Sequence, residues 1–232
     1  GVAYMLALMD SDGDTFPHPP IEFVFTSMEE VGLKGAMALD CSDLTARRMI
    51  GLDAGPEGVI CTTSAGAQEI IVACNTQWEA VQGEVVKITV DGLLGGHSAM
   101  NITDEKGNSN KIMGRILHNV AKVADFRICN ITGGMMFNAI PREATAVITI
   151  PAEGIDEIMD LVAEYEDLFV AEYDGVEDNI QLTATEVECP ATELPEDVQD
   201  FLIHAVTACP HGVYRVIPEM PDVVETSNNL AM

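Results

Sequence analysis

Basic residues are scarce in this chain: 11 Lys and Arg stand against 38 Asp and Glu, a formal charge of −27. No run of Lys or Arg occurs anywhere. Nucleic-acid binding needs a clustered basic face, so a polynucleotide partner is excluded. No uninterrupted apolar stretch is long enough to cross a bilayer, which excludes a membrane partner of the helix-spanning kind. No cationic segment precedes an apolar one in the manner of a signal peptide. The six cysteines (41, 61, 74, 129, 189, 209) form no C-x-x-C pair and follow no regular spacing. Neither a zinc knuckle nor a disulfide framework is expected. Several lie in apolar runs, such as Cys74 after Ile70-Ile71-Val72-Ala73, and they read as buried thiols of a reducing, cytoplasmic compartment. Repeats and low-complexity linkers are also missing.

What is present suffices for one or two packed cores: 232 residues with 47% hydrophobic content. The acidity reads as a soluble, self-repelling surface. Up to about residue 60 the pattern alternates helix and strand. Val2–Met9 is helical and ends at the acidic turn Asp10-Ser11-Asp12-Gly13-Asp14, which lacks the spacing of a calcium loop. Strand-like Ile21–Thr26, helical Gly32–Leu39 and strand-like Met49–Asp53 follow. Helices between nearly all-apolar strands predict an α/β arrangement with a parallel sheet.

Beyond a glycine-rich stretch near residues 58–66 the character changes. Glu69–Gln77 and Glu84–Asp91 read as a hairpin. Apolar residues at helical spacing predict helices over 108–124, 155–173 and 196–207, with strands over 126–131, 144–150 and 180–187. This predicts an α+β sandwich, one sheet with helices on one face. The expected organisation is therefore residues 1–62 as part of one domain and 63–232 as a second.

The chemistry concentrates in Ile21-Glu22-Phe23-Val24-Phe25-Thr26-Ser27-Met28-Glu29-Glu30-Val31-Gly32. An apolar run ends in two adjacent carboxylates and a glycine. Successive side chains of an extended segment face opposite ways, so the two glutamates can serve different partners. Asp53 follows the second expected strand, and ligands of parallel sheets collect at the carboxyl ends of strands. These three carboxylates form a candidate hard-ligand cluster for a metal-dependent hydrolase.

Several segments resemble the aminoacyl-histidine (Xaa-His, or cytosol non-specific) dipeptidases, zinc metallopeptidases related to carnosinase and the aminoacylases. They are His18-Pro19-Pro20-Ile21 through Gly35-Ala36, Gly51-Leu52-Asp53-Ala54-Gly55-Pro56-Glu57-Gly58, Gly95-Gly96-His97-Ser98, Asn138-Ala139-Ile140-Pro141-Arg142-Glu143-Ala144 and Glu225-Thr226-Ser227-Asn228-Asn229-Leu230-Ala231. They follow one another in the order found in that family. The resemblance implies a zinc-exopeptidase catalytic domain followed by a lid that also forms a homodimer. It implies Glu29 as general base, Glu30 and Asp53 as metal ligands and His97 as oxyanion stabiliser, reaching over from a partner subunit. Asn138 would bind the carboxylate end of a dipeptide substrate. The implied cofactor is a pair of zinc ions, although carboxylate ligands also suit manganese or cobalt. Ala99 departs from the family's glycine.

The family's complete site also needs a His-x-Asp motif, a bridging aspartate, a further zinc histidine and a substrate arginine. None of the histidines at 18, 97, 118, 204 and 211 has a zinc-ligand context; His118 and His204 read as core residues. Both ends of the chain read as cut, so the chain alone is expected to be inactive. Two alternatives stand beside this reading: another amide hydrolase of the same clan (tripeptidase, aminoacylase or carboxypeptidase), or a non-catalytic dimerisation module.

Overall fold

The structure, a computed structural model, describes residues 1–52, 57–62, 64–81, 83–188, 190 and 192–232. The chain divides into two compact units, Gly1–Gly66 and Ala67–Met232.

The first unit holds α1 (Val2–Asp10) and a single turn, α2 (Lys34–Met37). The strands expected over 21–26 and 49–52 are absent among the described residues, and Asp53 lies outside them. Their reason for failing is local. A strand exists only where a neighbour takes up its amides and carbonyls, and here these runs have no paired neighbour. Glu22 cross-links two segments of this unit: its carboxylate accepts the Thr45 hydroxyl at 2.6 Å and the Ala46 amide at 2.9 Å. Those bonds, the Thr45 hydroxyl first, hold the Glu22 carboxyl below its usual range.

The second unit runs through β1 (Glu79–Ala80), β2 (Glu84–Asp91), β3 (Gly96–His97), α3 (Ser109–Val123), β4 (Arg127–Gly133), β5 (Ala139–Ile140), β6 (Ala144–Ile150), α4 (Ile155–Glu172), β7 (Gln181–Glu186), β8 (Thr192–Glu193), α5 (Glu196–Ala208), β9 (Gly212–Ile217) and β10 (Met220–Asn228). Its main sheet is four-stranded and antiparallel in the order β4-β6-β2-β7. The hairpin expected between 69–77 and 84–91 does not form. Residues 69–77 carry no strand, and β2 instead takes the sheet's interior between β6 and β7. Its alternation explains why. Val86, Ile88 and Val90 are all fully buried, a burial that two flanking strands and a helix layer provide.

Helix α3 begins at Asn108, whose side chain accepts the Asn110 and Lys111 amides as an N-cap. Ile112, Met113, Ile116, Leu117 and Val120 then recur at helical spacing and are buried. Gly114 is needed for close approach: a Cβ there would stand 2.7 Å from Val206 Cγ1 on α5. Helix α4 contributes Ile158, Val162 and Phe169 to the same core. The opposite face of the sheet is polar, with Thr132, Thr145, Thr89 and Thr183 in one register row across the four strands.

The cysteines depart from expectation. Among the described residues Cys41, Cys61 and Cys74 are exposed, Cys209 is half-buried and Cys129 is buried; Cys189 lies outside them. The apolar run around Cys74 belongs to no strand or helix and so has no core to enter. His204 is likewise exposed on α5, while His118 is half-buried on α3.

Candidate functional site

Register alone brings three connections to one end of the main sheet. Val90 at the end of β2 lies opposite Ala144 at the start of β6, and Gly133 at the end of β4 lies opposite the same residue. Asp91 pairs with Gln181 at the start of β7. The loops 92–108, 134–143 and 173–180 therefore emerge together. The first carries His97 and the second Asn138.

These two loops also bond directly. β3 and β5 pair antiparallel, His97 opposite Ala139, and the Ser98 amide donates to the Asn138 carbonyl at 2.9 Å. The 226–231 segment joins them. Asn229 Nδ2 donates to the Ala139 carbonyl at 2.7 Å, and Asn108 Nδ2 donates to the Leu230 carbonyl at 3.0 Å. Gly134, at φ 74°, admits this segment because a Cβ there would collide with the Ala231 carbonyl. Three motifs far apart in sequence thus share one rim.

The His97 ring is oriented. The Ala99 amide donates to its Nδ1 at 3.1 Å, so Nδ1 acts as acceptor and the ring proton sits on Nε2. Asn101 Oδ1 accepts the His97 amide at 2.9 Å, and the Asn101 amide returns a bond of the same length to the His97 carbonyl. The imidazole is half-buried and presents one N–H donor. The Asn138 side chain is half-buried as well.

In the first unit, Glu29 and Glu30 are exposed and stand at the head of a turn rather than on a strand. The Glu29 carbonyl accepts the Gly32 amide at 3.1 Å and the Leu33 amide at 2.9 Å. Strand alternation therefore does not separate the two carboxylates. Met28 at φ 59° and Leu33 at φ 55° both occupy the left-handed region. Such residues cost on the order of 1 kcal/mol each and collect at functional sites.

Carboxylate oxygens suit a divalent ion. Among the described residues, however, no group of three His, Cys, Asp or Glu side chains gathers at metal-binding distance. Glu30 stands as one potential ligand, and Asp53 lies outside the described residues.

His211, unremarkable in the sequence, proves to be part of the rim's support. Asn108 commits Oδ1 to its helix cap, so its Nδ2 faces His211 Nδ1 at 3.1 Å, which must accept. Lys111 stands nearby, giving three bonds to the Val206, Thr207 and Cys209 carbonyls at the end of α5. Burial first, and the Lys111 charge second, push the His211 pKa below the ordinary histidine value. A depressed folded pKa means the unfolded chain binds the proton first as pH falls. Stability is thus complete above about pH 6.5 and declines as pH drops from there toward the folded pKa. Urea midpoints of the wild type should fall between pH 7 and 5, and those of His211→Gln should fall less; equal slopes would remove His211 from this role.

The sequence offered no signal for Asn101, nor for the bonds that Asn108 and Asn229 make. Asn101 bonds to His97 and Asp104 within its own loop, while Asn108 and Asn229 find partners distant in the chain, at His211, Leu230 and Ala139.

The peptidase dimerisation domain family matches residues 88–177. The cytosol non-specific dipeptidase of Escherichia coli (strain K12) is 34% identical over 234 residues, covering 100% of this chain and 48% of that protein. The chain therefore spans about half the length of this curated relative. Among solved structures, the aminoacylhistidine dipeptidase from Vibrio alginolyticus matches with a TM-score of 0.65 and 36% identity, over 67% of this chain and 32% of that one. Among the described residues, no helix is long and apolar enough to cross a membrane.

Proposed function

We propose, for a chain that belongs to the family of the cytosol non-specific and aminoacylhistidine dipeptidases, that it forms the base-bearing turn and the substrate-covering lid of an enzyme hydrolysing Xaa-His and related dipeptides. Residues 1–62 are part of the catalytic domain, and 63–232 are the lid, through which two copies pair in the cytoplasm. The observation that carries this reading is the shared rim, where His97 presents a single oriented N–H donor beside Asn138 and the 226–231 segment.

In this reading Glu29 takes the proton of the attacking water and later passes it to the leaving amine. His97 Nε2–H donates to the oxygen that gains charge as the scissile carbonyl becomes tetrahedral. The Asn138 carboxamide donates to the substrate's terminal carboxylate and sets which bond is presented. Glu30 and Asp53 are the chain's proposed ligands for zinc, which when bound supplies Lewis acidity toward the carbonyl and the water. Two carboxylates do not by themselves complete a closed zinc site, and residues 1–232 alone are accordingly proposed to be inactive.

The test is histidine release from Xaa-His dipeptides by the full-length protein. His97→Ala should lower kcat roughly a hundred- to a thousandfold, the loss typical of an oxyanion donor, with the dimer and metal content unchanged. Turnover within threefold of wild type removes His97 from the mechanism. Zinc-dependent turnover by residues 1–232 alone refutes the incomplete-site reading.

A further inference from the structure

Glu177 lies in the connection between α4 and β7 and is 3% exposed, a fully buried acidic side chain in an acidic chain. Among the described residues no lysine or arginine pairs with it. Its two oxygens are used separately: Oε2 accepts the Leu94 amide at 2.7 Å and Oε1 the Gly107 amide at 2.8 Å. Those amides stand at the two ends of the loop that carries His97. A buried charge supported only by backbone N–H groups is costly unless its geometry is satisfied, and here both acceptors are.

The packing around it leaves no slack. A Cβ on Gly107 would stand 2.8 Å from Leu93 Cδ2 and 3.4 Å from Glu177 Oε1. Gly92, at φ 79°, lies so close to the Asn179 carbonyl that a Cβ could not fit. Leu93 and Ile102, at the loop's start and middle, are buried at 5% exposure each. Inside this frame Asn101 fixes the His97 backbone and the Ala99 amide fixes its ring.

We infer that Glu177 is a positioning residue for His97, its carboxylate tying both ends of the 94–107 loop so that the imidazole N–H is held toward the substrate. The inference rests on the role given to His97 above. Glu177 touches no reacting atom and acts through the loop. Glu177→Gln keeps the shape but puts an amide NH2 against a backbone N–H, so one of the two ties is lost. Glu177→Asp keeps the charge but is a methylene too short to span both amides.

In the full-length protein, Glu177→Gln and Glu177→Asp should lower kcat for a Xaa-His dipeptide roughly ten- to a hundredfold, the scale of a displaced catalytic group, with KM within threefold and metal content intact. Glu177→Gln should add nothing, within about twofold, to a protein already carrying His97→Ala. An undiminished effect in that background overturns positioning through His97. Hydrogen exchange on the wild type needs no variant: the Leu94 and Gly107 amides should exchange as slowly as those of β2, and fast exchange at either overturns the tie. If His97→Ala itself leaves turnover intact, the oxyanion reading fails. Exchange at Ala99 and Met100 in Glu177→Gln then decides the tie by itself: faster exchange upholds it and unchanged exchange refutes it.

Discussion

Glu29→Gln should lower dipeptide turnover by the full-length protein roughly a hundred- to ten-thousandfold, the span attributed to a positioned general base. Glutamine matches glutamate in shape but cannot take a proton. The turn that presents residue 29 is closed through its backbone carbonyl, with the Gly32 and Leu33 amides as donors. The side chain is exposed. Substitution therefore leaves the fold within about 0.5 kcal/mol of the wild type. The loss should fall on kcat with KM and metal content unchanged, because in the proposed role the group acts on the moving proton and not on the bound substrate. Glu30 provides the internal contrast, since its substitution should lower metal content. Turnover of Glu29→Gln within threefold of wild type would end the base assignment. A parallel loss of bound metal would make Glu29 a ligand instead.

Phe169→Ala should destabilise the second unit by about 3–5 kcal/mol, the usual cost of emptying a buried aromatic site. Phe169 has no solvent exposure and packs between Tyr165 and Tyr173, with ring centroids at 5.8 and 6.5 Å. The Arg115 guanidinium lies 4.5 Å from its ring centroid and pairs bidentately with Glu172 at 2.7 and 2.8 Å. Alanine leaves a cavity that helices α3 and α4 cannot close without breaking that pair. A typical domain is stable by about 5–15 kcal/mol, so this one side chain decides whether the unit stays folded in mild denaturant. Urea unfolding followed by far-UV circular dichroism reads the loss, and a change below about 1 kcal/mol contradicts the packing described.

Helices α3, α4 and α5 and strands β4, β6 and β7 stand within a residue or two of where periodicity places them. Each has a strong local signal: apolar spacing of a helix face, or a short β-branched run between turns. In the structure Asn108 caps the start of α3. The runs 21–26 and 69–77 carry similar apolar signals yet form no strand. A strand's apolar pattern states a preference, and only a paired neighbour satisfies its backbone.

The candidate site divides the same way. Glu29, Glu30, His97 and Asn138 were legible because each sits in a distinctive short motif. Glu177 was not. Along the chain it is one acidic residue among many near the end of α4, and a solvated helix end looks the same. Its partners, Leu94 and Gly107, lie far away in sequence and offer only backbone amides, which every residue has.

Residue order alone determined the acidic, helix-and-strand character of this protein, the positions of its strongest elements and the residue types available for hydrolytic chemistry. Those properties depend on local spacing and on side-chain chemistry that no fold can change. Tertiary structure decided which strands pair and that three loops meet at one sheet end. It also decided that the His97 proton sits on Nε2 and that a buried carboxylate ties the loop beneath it. These depend on contacts between residues distant in the chain, whose geometry exists only once the backbone has closed on itself.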